Sequence, residues 1–183
     1  LELQSLMREG EDEEAPNKRY LTLLVGRMPQ GTMTVEAPLL RSVLQGGERM
    51  VRVDPNGKPS TSHFKLIERR GGHSFCEVHI ETGRTHQIRV HMKHIGHPLF
   101  NDDFYGGDRI VKGTVYTKYK QFVDNCFAIC PRQALHAKTL GFTHPVTGKE
   151  MFFDTNLADD MVQVIEKWRK YVSAVGNRLD SEQ

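Results

Sequence analysis

The densest run of chemically versatile side chains spans residues 81–91 and reads Glu-Thr-Gly-Arg-Thr-His-Gln-Ile-Arg-Val-His. A strand-like segment ends just before it, Gly83 allows the chain to turn, and a helical pattern follows. The unpaired N–H groups at the start of such a helix, together with Arg84 and Arg89, would bind an anion such as a phosphate or a carboxylate. The alternative interpretation is that both arginines pair with surface acids and that the polar residues between them cap the helix.

A second candidate group consists of four histidines, His86, His91, His94 and His97. Carboxylates or thiols at ligand spacing are lacking nearby, and the zinc-protease pattern His-Glu-x-x-His does not occur. Cys126 and Cys130 have no second cysteine pair to complete a metal site. We therefore expect no metal. The sequence also lacks the Gly-x-Ser-x-Gly elbow of serine hydrolases and the phosphate-binding loop of nucleotide hydrolases.

Two adjacent carboxylates, Asp102 and Asp103, lie in a loop-like stretch rich in glycine and aromatic residues. Neighbouring side chains rarely point the same way, so we do not expect these two to share a proton as a catalytic pair. One of them is expected to cap a turn.

An aromatic candidate, Tyr20, lies in a strand-like run directly after Lys18 and Arg19. A tyrosine ring can stack on a nucleobase while neighbouring cations hold the phosphate backbone. The alternative interpretation is an ordinary half-buried strand tyrosine, since aromatic side chains are common in strands.

The charge distribution favours a polyanionic partner. The chain has 25 basic and 23 acidic side chains, but residues 1–16 hold six of the acids and one base. The other residues therefore carry 24 bases and 17 acids, a surplus of seven positive charges. This surplus indicates a nucleic-acid partner, although an ordinary mildly basic protein would look similar.

Composition restricts the class of protein. With 183 residues, the chain has the size of one globular domain. No stretch approaches the 18 consecutive apolar residues of a membrane-spanning helix, and the acidic start of the chain lacks the pattern of a signal peptide. The odd number of cysteines, three, predicts reduced thiols and a cytoplasmic protein.

Short strand-like runs joined by tight turns predict an antiparallel sheet. Five of them precede the polar run: Lys18–Val25, Met33–Ala37, Met50–Val53, Thr61–Arg69 and Ser74–Ile80. Two more, Leu135–Phe142 and Glu150–Asp154, flank a turn and predict a hairpin.

Apolar spacing predicts helices over Thr85–Ile95 and Tyr119–Phe127, and a last helix with an apolar stripe from Met161 to Val175. Leu1–Arg8 also shows a short helical spacing. The expected fold class is α+β, with a mixed, mainly antiparallel sheet and flanking helices.

The motifs resemble a known family. The run 81–91, followed by Gly-His-Pro-Leu-Phe-Asn-Asp at 96–102 and Tyr-Gly-Gly at 105–107, resembles the long signature of the RluA/RluD-type pseudouridine synthases. Further stretches agree in family order: 18–26 with the family's tyrosine strand, 57–68 with its central strand region, and 131–137 with His144, Pro145 and Gly148 with its C-terminal hairpin. The resemblance runs from Lys18 to Tyr171 and is closest to the large-subunit ribosomal members.

The resemblance implies a cofactor-free enzyme that isomerises uridine to pseudouridine in RNA, here large-subunit ribosomal RNA. In this family an aspartate attacks the target nucleotide, and the uracil is detached, rotated and rejoined through C5. The base must leave its stack to be reached.

The resemblance also assigns roles to residues of this chain. It implies that Tyr20 stacks on the base and removes the C5 proton, that Arg84 pairs with the aspartate, and that Leu135 packs near the base. The substrate-binding residues that it implies are Lys18, Arg19, Thr85, His86, Gln87, Arg89 and Leu135. The site is expected between the Tyr20 strand and the turn that carries Arg84.

One part of the family pattern is absent. The nucleophilic aspartate lies in a block like His-Arg-Leu-Asp-x-x-Thr-Ser-Gly ahead of the tyrosine strand, and none of the 19 residues before Tyr20 resembles it. Asp12, in an acidic run, is not a substitute. We therefore expect no catalysis by this chain alone and an open sheet edge or exposed apolar patch where strands are missing.

The expected organisation is an acidic lead-in from an upstream region at 1–17, the catalytic domain at 18–175 and a tail at 176–183. A piece of a longer enzyme is the favoured interpretation. The alternatives are a truncated gene product and an inactive relative, that is, a non-catalytic RNA-binding or ribosome-assembly module.

Overall fold

The computed structural model describes residues 17–43, 49–109 and 117–175. Within these ranges the chain forms eight strands and three helices. The strands are β1 Asn17–Val25, β2 Thr32–Glu36, β3 Leu39–Val43, β4 Arg49–Val53, β5 Thr61–Arg70, β6 His73–Ile80, β7 Leu135–Thr143 and β8 Glu150–Asp154. The helices are α1 Gln87–His94, α2 Thr117–Ile129 and α3 Asp159–Val175.

Six of the strands form one sheet in the order β2-β5-β6-β1-β7-β8, and β3 and β4 form a separate hairpin. Every neighbouring pair of these strands is antiparallel. The α+β class with a mainly antiparallel sheet is thereby confirmed. The central strand, β1, joins distant parts of the chain, because Tyr20 is aligned with Val78 of β6 and with Ala137 of β7.

Helices cover both faces of the sheet. Successive side chains of a strand point to opposite faces, and β1 has apolar residues on both. Leu24 packs into one cluster with Ile88 and Met92 of α1. Leu23 packs into another with Phe122 of α2 and with residues of α3. We call the first the α1-side cluster and the second the α3-side cluster. The continuous apolar end of β1 follows from this double burial.

Two differences from the expected elements bear on the site. β3, Leu39–Val43, was not predicted, because the alternation of its sequence is too short to stand out beside Pro38. Helix α1 begins at Gln87 instead of Thr85, since His86 adopts a left-handed backbone conformation with φ 54° and ψ 21°. The predicted helical spacing at 1–8 and the tail at 176–183 lie outside the described residues.

The strand β8 is the outermost described strand on its side of the sheet, and it exposes 64% of Phe152 and 50% of Phe153. These neighbouring rings point to opposite faces of the sheet, so they do not form one patch. The open edge or apolar patch expected where strands are missing stays a prediction. Among the described helices, none combines the length and the apolar character needed to cross a bilayer.

A buried histidine makes the stability of this fold depend on pH. His73, the first residue of β6, packs edge-on against Trp168 and Phe100, with ring centroids 4.1 and 5.3 Å away. Burial lowers the pKa of His73 from 6.5 to about 3. The unfolded chain therefore takes up this proton near pH 6.5, whereas the folded protein excludes it until about pH 3.

We expect the free energy of unfolding to fall by about 1.4 kcal/mol per pH unit between these two pKa values on account of His73. Urea unfolding from pH 7 to pH 4.5 measures this slope. The variant His73→Leu should lack the part of the slope that comes from the uptake of one proton on unfolding. The variant His94→Leu, at an exposed position, should keep the wild-type slope. Equal slopes for the wild type and His73→Leu would contradict the assignment.

Candidate functional site

Tyr20 forms part of the α1-side cluster at its rim. Its ring is half-buried on β1 and packs against this cluster, as does the side chain of Leu135 from β7. Burial raises the pKa of the Tyr20 phenol above its ordinary value of 10.0. At neutral pH the hydroxyl of Tyr20 therefore keeps its proton, and the ring is held by its neighbours on the face of the sheet that α1 covers.

The turn that carries Arg84 leaves the sheet at the same end. β6 runs antiparallel to β1, with His79 aligned with Arg19, so the last residues of β6 lie beside the first residues of β1. After the turn the chain returns as α1, whose Ile88 packs into the same cluster as Tyr20. Tyr20 and the Arg84 turn thus share one end and one face of the sheet.

Hydrogen bonds to neighbouring backbone fix the Arg84 turn. The Arg84 side chain donates from Nε to the carbonyl oxygen of Pro59 at 3.2 Å. Its backbone N–H donates to Oε1 of Gln87 at 3.1 Å, and the Thr82 hydroxyl donates to the same oxygen at 2.7 Å. The Thr82 hydroxyl also accepts from the backbone N–H of Thr61 at 3.2 Å. The first residues of β5 therefore support the turn.

The other half of the Gln87 amide begins a buried hydrogen-bond chain. Nε2 donates to the carbonyl of Thr61 and to Oγ of Ser62, each at 2.9 Å. Oγ of Ser62 lies 2.8 Å from Nδ1 of His91, and Nε2 of His91 lies 2.9 Å from the carbonyl of Ala37. A carbonyl only accepts, so Nε2 carries the proton. Burial lowers the pKa of His91, which keeps the ring neutral and makes Nδ1 an acceptor for the Ser62 hydroxyl.

These hydrogen bonds define the role of Gln87 in the structure. Gln87 is 3% exposed, its amide oxygen accepts two hydrogen bonds, and its amide nitrogen donates two. The sequence analysis placed Gln87 among the substrate-binding residues. In the structure it attaches the Arg84 turn to β5 as a positioning residue, and its contact with substrate stays a prediction.

His86 is held in its strained conformation by Tyr105. The backbone N–H of Val51 donates to the Tyr105 hydroxyl at 3.2 Å, and this hydroxyl lies 2.7 Å from Nδ1 of His86. When the phenol donates its own hydrogen to Nδ1 of the neutral ring, Nε2 carries the N–H group. Burial, together with the charge of Arg89, lowers the pKa of His86. Nε2 has no partner among the described residues and is not buried, so this ring nitrogen faces solvent.

Arg89 pairs with an acid, which is one of the two interpretations that the sequence analysis left open, although this acid is buried and not at the surface. Its guanidinium makes two hydrogen bonds to Asp102, at 2.7 and 2.8 Å. The substrate-binding role that the resemblance implies for Arg89 stays a prediction. The carboxylate is fully buried and the arginine side chain is 10% exposed. The guanidinium also lies over the Tyr105 ring, 5.0 Å from its centroid. Arg89 thus ties α1 to the loop at 97–107. Asp103 beside it is exposed.

The two basic residues before Tyr20 lie on opposite faces of β1. Arg19 lies on the opposite face of β1 and forms a 2.5 Å ion pair with Glu77, so the structure does not bring it to Tyr20. Lys18 alternates onto the same face as Tyr20, and burial lowers its pKa. Thr85 accepts a hydrogen bond from Arg41 of β3.

The sequence analysis did not assign four residues to this site: Arg41, Ser62, His91 and Tyr105. Ser62, His91 and Tyr105 belong to stretches that carry the family resemblance, so a signal for them was present. Arg41 gave none, because its neighbours are brought to it only by folding. Within the described ranges no group of three or more histidine, cysteine or acidic side chains is arranged to hold a metal ion.

A family model described as RNA pseudouridylate synthase matches residues 3–94, a range that includes Tyr20, Arg84 and α1. The chain belongs to this family. The match confirms the resemblance stated from the sequence motifs.

Relatives within the family are similar over most of this chain. Ribosomal large subunit pseudouridine synthase D of Vibrio vulnificus is 38% identical over 153 residues, which cover 84% of this chain and 45% of that protein. Ribosomal large subunit pseudouridine synthase C of Escherichia coli K12 is 38% identical over 157 residues, covering 86% of this chain and 46% of that protein. The chain thus spans about half the length of these relatives.

Two solved human structures share the fold. RNA Pseudouridylate Synthase Domain Containing 4 aligns with a TM-score of 0.65 and 21% identity, over 92% of this chain and 66% of that one. RNA Pseudouridylate Synthase Domain Containing 1 aligns with a TM-score of 0.56 and 24% identity, over 84% of this chain and 65% of that one. They support the architecture described above.

The buried ion pair leads to a first mutational test. Asp102→Asn leaves the Arg89 guanidinium buried without a compensating charge, so we expect a loss of about 3 kcal/mol in the free energy of unfolding. The matched control, Asp103→Asn, removes the same charge at an exposed position and should change it by less than about 0.5 kcal/mol. Urea unfolding of both variants measures the two losses. Similar losses would show that the ion pair between Arg89 and Asp102 contributes no more to stability than a surface charge.

The hydrogen-bond chain leads to a second test. Ser62→Ala leaves Nε2 of Gln87 with one partner fewer and Nδ1 of His91 with none, so we expect a loss of about 1–3 kcal/mol. Ser173→Ala is the control, because its hydroxyl bonds only within an exposed part of α3 and alanine favours a helix. A Ser62→Ala variant as stable as the control would mean that the hydrogen bonds through Ser62 do not stabilise the turn.

Proposed function

We propose that this chain is part of an enzyme that isomerises specific uridines to pseudouridine in large-subunit ribosomal RNA. The observation that carries the proposal is the shared position of Tyr20 and the Arg84 turn, at one end and on one face of the sheet. Support also comes from the names of the relatives, which are ribosomal large subunit pseudouridine synthases.

Tyr20 suits the role of a platform for an extruded base. A target base must leave its helical stack before chemistry can occur at its C5 atom and at C1′ of its ribose, and an aromatic ring compensates for the lost stacking. The ring is half-buried against the α1-side cluster, so little side-chain freedom remains to be lost when a base stacks on it. Because the raised pKa keeps the phenol protonated, removal of the C5 proton needs a neighbouring charge or base that lowers this pKa in the complex.

Arg84 suits the role of an orienting cation. Its Nε is engaged by the Pro59 carbonyl, and its backbone is fixed by Gln87, so the guanidinium has a defined direction. In the proposed reaction this cation pairs with the nucleophilic carboxylate and keeps it ionised.

The nucleophile itself has no counterpart in residues 1–183, where no segment resembles the family's aspartate block. The proposed isomerisation therefore needs a carboxylate from outside these residues. This observation favours a second candidate function, RNA binding without catalysis, as a ribosome-assembly module.

We also propose a cytoplasmic setting. Cys76, Cys126 and Cys130 are all buried and unpaired. Burial raises the pKa of each thiol, to about 12 for Cys76 and about 11 for the other two. Free thiols of this kind suit a reducing compartment.

The platform role is tested by RNA binding. We expect Tyr20→Ala to weaken binding of the chain to a uridine-containing single-stranded RNA by about fivefold to a hundredfold, the equivalent of one base–aromatic stack. Tyr20→Phe keeps the ring and should bind like the wild type. Phe152→Ala is the control, because it removes an exposed ring on the opposite face. Fluorescence anisotropy measures all three, and an unaffected Tyr20→Ala variant would remove the platform from the proposal.

The enzymatic part is tested by tritium release from C5-labelled uridine in large-subunit ribosomal RNA. We expect release by the product of the complete reading frame, a large loss of release in its Tyr20→Phe variant, and none by residues 1–183 alone. Binding without release by the complete product would favour the RNA-binding module. Neither binding nor release would overturn both candidates.

A further inference from the structure

The β3–β4 hairpin brings an arginine to the Arg84 turn. One face of the hairpin is apolar, where Leu39 and Val51 pack with Val90 of α1 and with Tyr105. Arg41 is directly opposite Val51 in the register, so it lies on this inner face, two residues along β3 from Leu39. The packing of the hairpin therefore directs Arg41 towards the start of α1.

The contacts of Arg41 differ from those of Arg52 and Arg89. Its Nη2 donates to the hydroxyl of Thr85, and no carboxylate of the described residues lies within 4.0 Å of its guanidinium. Arg52 on the other face of the hairpin pairs with Asp54 at 3.0 Å, and Arg89 pairs with Asp102. The positive charge of Arg41 is thus held in place by a neutral partner, and no carboxylate in the described ranges compensates it.

A second polar group belongs to the same turn. His86 follows Thr85 in the sequence, and its Nε2 is not buried and has no partner among the described residues, while Nδ1 lies 2.7 Å from the Tyr105 hydroxyl. When that hydroxyl donates to Nδ1 of the neutral ring, Nε2 is an N–H donor. Burial above all lowers the pKa of His86, and the charges of Arg89 and, last, of Arg41 act in the same direction. The turn therefore presents the hydroxyl of Thr85 bound to Arg41 and, one residue further on, an imidazole nitrogen that is open to solvent.

We propose that Arg41, Thr85 and His86 form a phosphate subsite that binds the RNA backbone next to the target nucleotide. This inference rests on the proposed function, because it takes the ligand to be RNA. A guanidinium donates two parallel hydrogen bonds to phosphate oxygens, and hydroxyl and N–H groups complete such a site. The subsite adjoins Arg84 and lies at the end of the sheet where Tyr20 is found, so a phosphate bound here belongs to the nucleotides that flank a base on Tyr20.

The chain offers a matched pair of variants for the test. Arg41→Ala and Arg52→Ala remove the same charge from the same hairpin, but on opposite faces. Binding of a uridine-containing single-stranded RNA is measured by fluorescence anisotropy between 50 and 200 mM KCl. We expect Arg41→Ala to weaken binding roughly tenfold and to reduce the slope of log K against log salt by about 0.7, the value for one phosphate contact on a single strand. The variant Arg52→Ala should match the wild type in affinity and in salt slope.

Three controls make the outcomes distinct. Unchanged urea midpoints show that both variants are folded. Arg41→Lys, which keeps the charge but not the fork, should restore the salt slope and only part of the affinity. Inorganic phosphate is the competitor that separates a free-anion site from a backbone site, and we expect it to displace RNA only at concentrations far above those of the RNA.

Failure of the subsite differs from failure of the function. If the wild type binds RNA and Tyr20→Ala weakens binding while Arg41→Ala does not, the subsite is wrong and the proposed function stands. Equal losses of RNA affinity in Arg41→Ala and Arg52→Ala would mean that the net charge of the protein accounts for the effect, which would also overturn the subsite. Displacement of RNA by phosphate at equal concentration would assign the site to a free anion. No RNA binding by the wild type would overturn both.

Discussion

The arrangement of the candidate site depends on the hydrogen bonds of one buried amide. Gln87 is almost fully enclosed, and a buried amide that lacks partners costs about 1–3 kcal/mol for each unsatisfied group. Its oxygen is satisfied by the turn that carries Arg84, and its nitrogen by the first residues of β5. The turn and the sheet therefore hold each other in place, and Ser62 and His91 extend this connection towards the end of β2.

A second set of interactions fixes the other side of the turn. The ion pair between Arg89 and Asp102 joins α1 to the loop at 97–107, and Tyr105 of that loop joins the hairpin to His86. The Tyr105 hydroxyl accepts a hydrogen bond from the backbone N–H of Val51 and shares another with Nδ1 of His86, so it orients the imidazole. The backbone strain at His86 is thus supported by neighbours on three separate segments of the chain.

These constraints explain how a chain with about half the length of its relatives retains an ordered site. The supporting contacts of the Arg84 turn come from β5, α1, the 97–107 loop and the β3–β4 hairpin, all within the described residues. Tyr20 is held separately by the α1-side cluster. The proposed RNA-facing groups are therefore preorganised without the carboxylate on which the proposed catalysis depends.

The sequence by itself determined the element types and the family. Alternation predicted β5 and β6, the apolar stripe predicted α3, and the motif at 81–91 identified the family, because all three are patterns among neighbouring residues. Only the tertiary structure decided which polar groups pair with one another. Arg89 and Arg41 have the same chemistry, but folding brings a buried carboxylate to the first and, among the described residues, a hydroxyl without a carboxylate to the second. The partner of a charged side chain comes from a distant segment, and no local pattern encodes it.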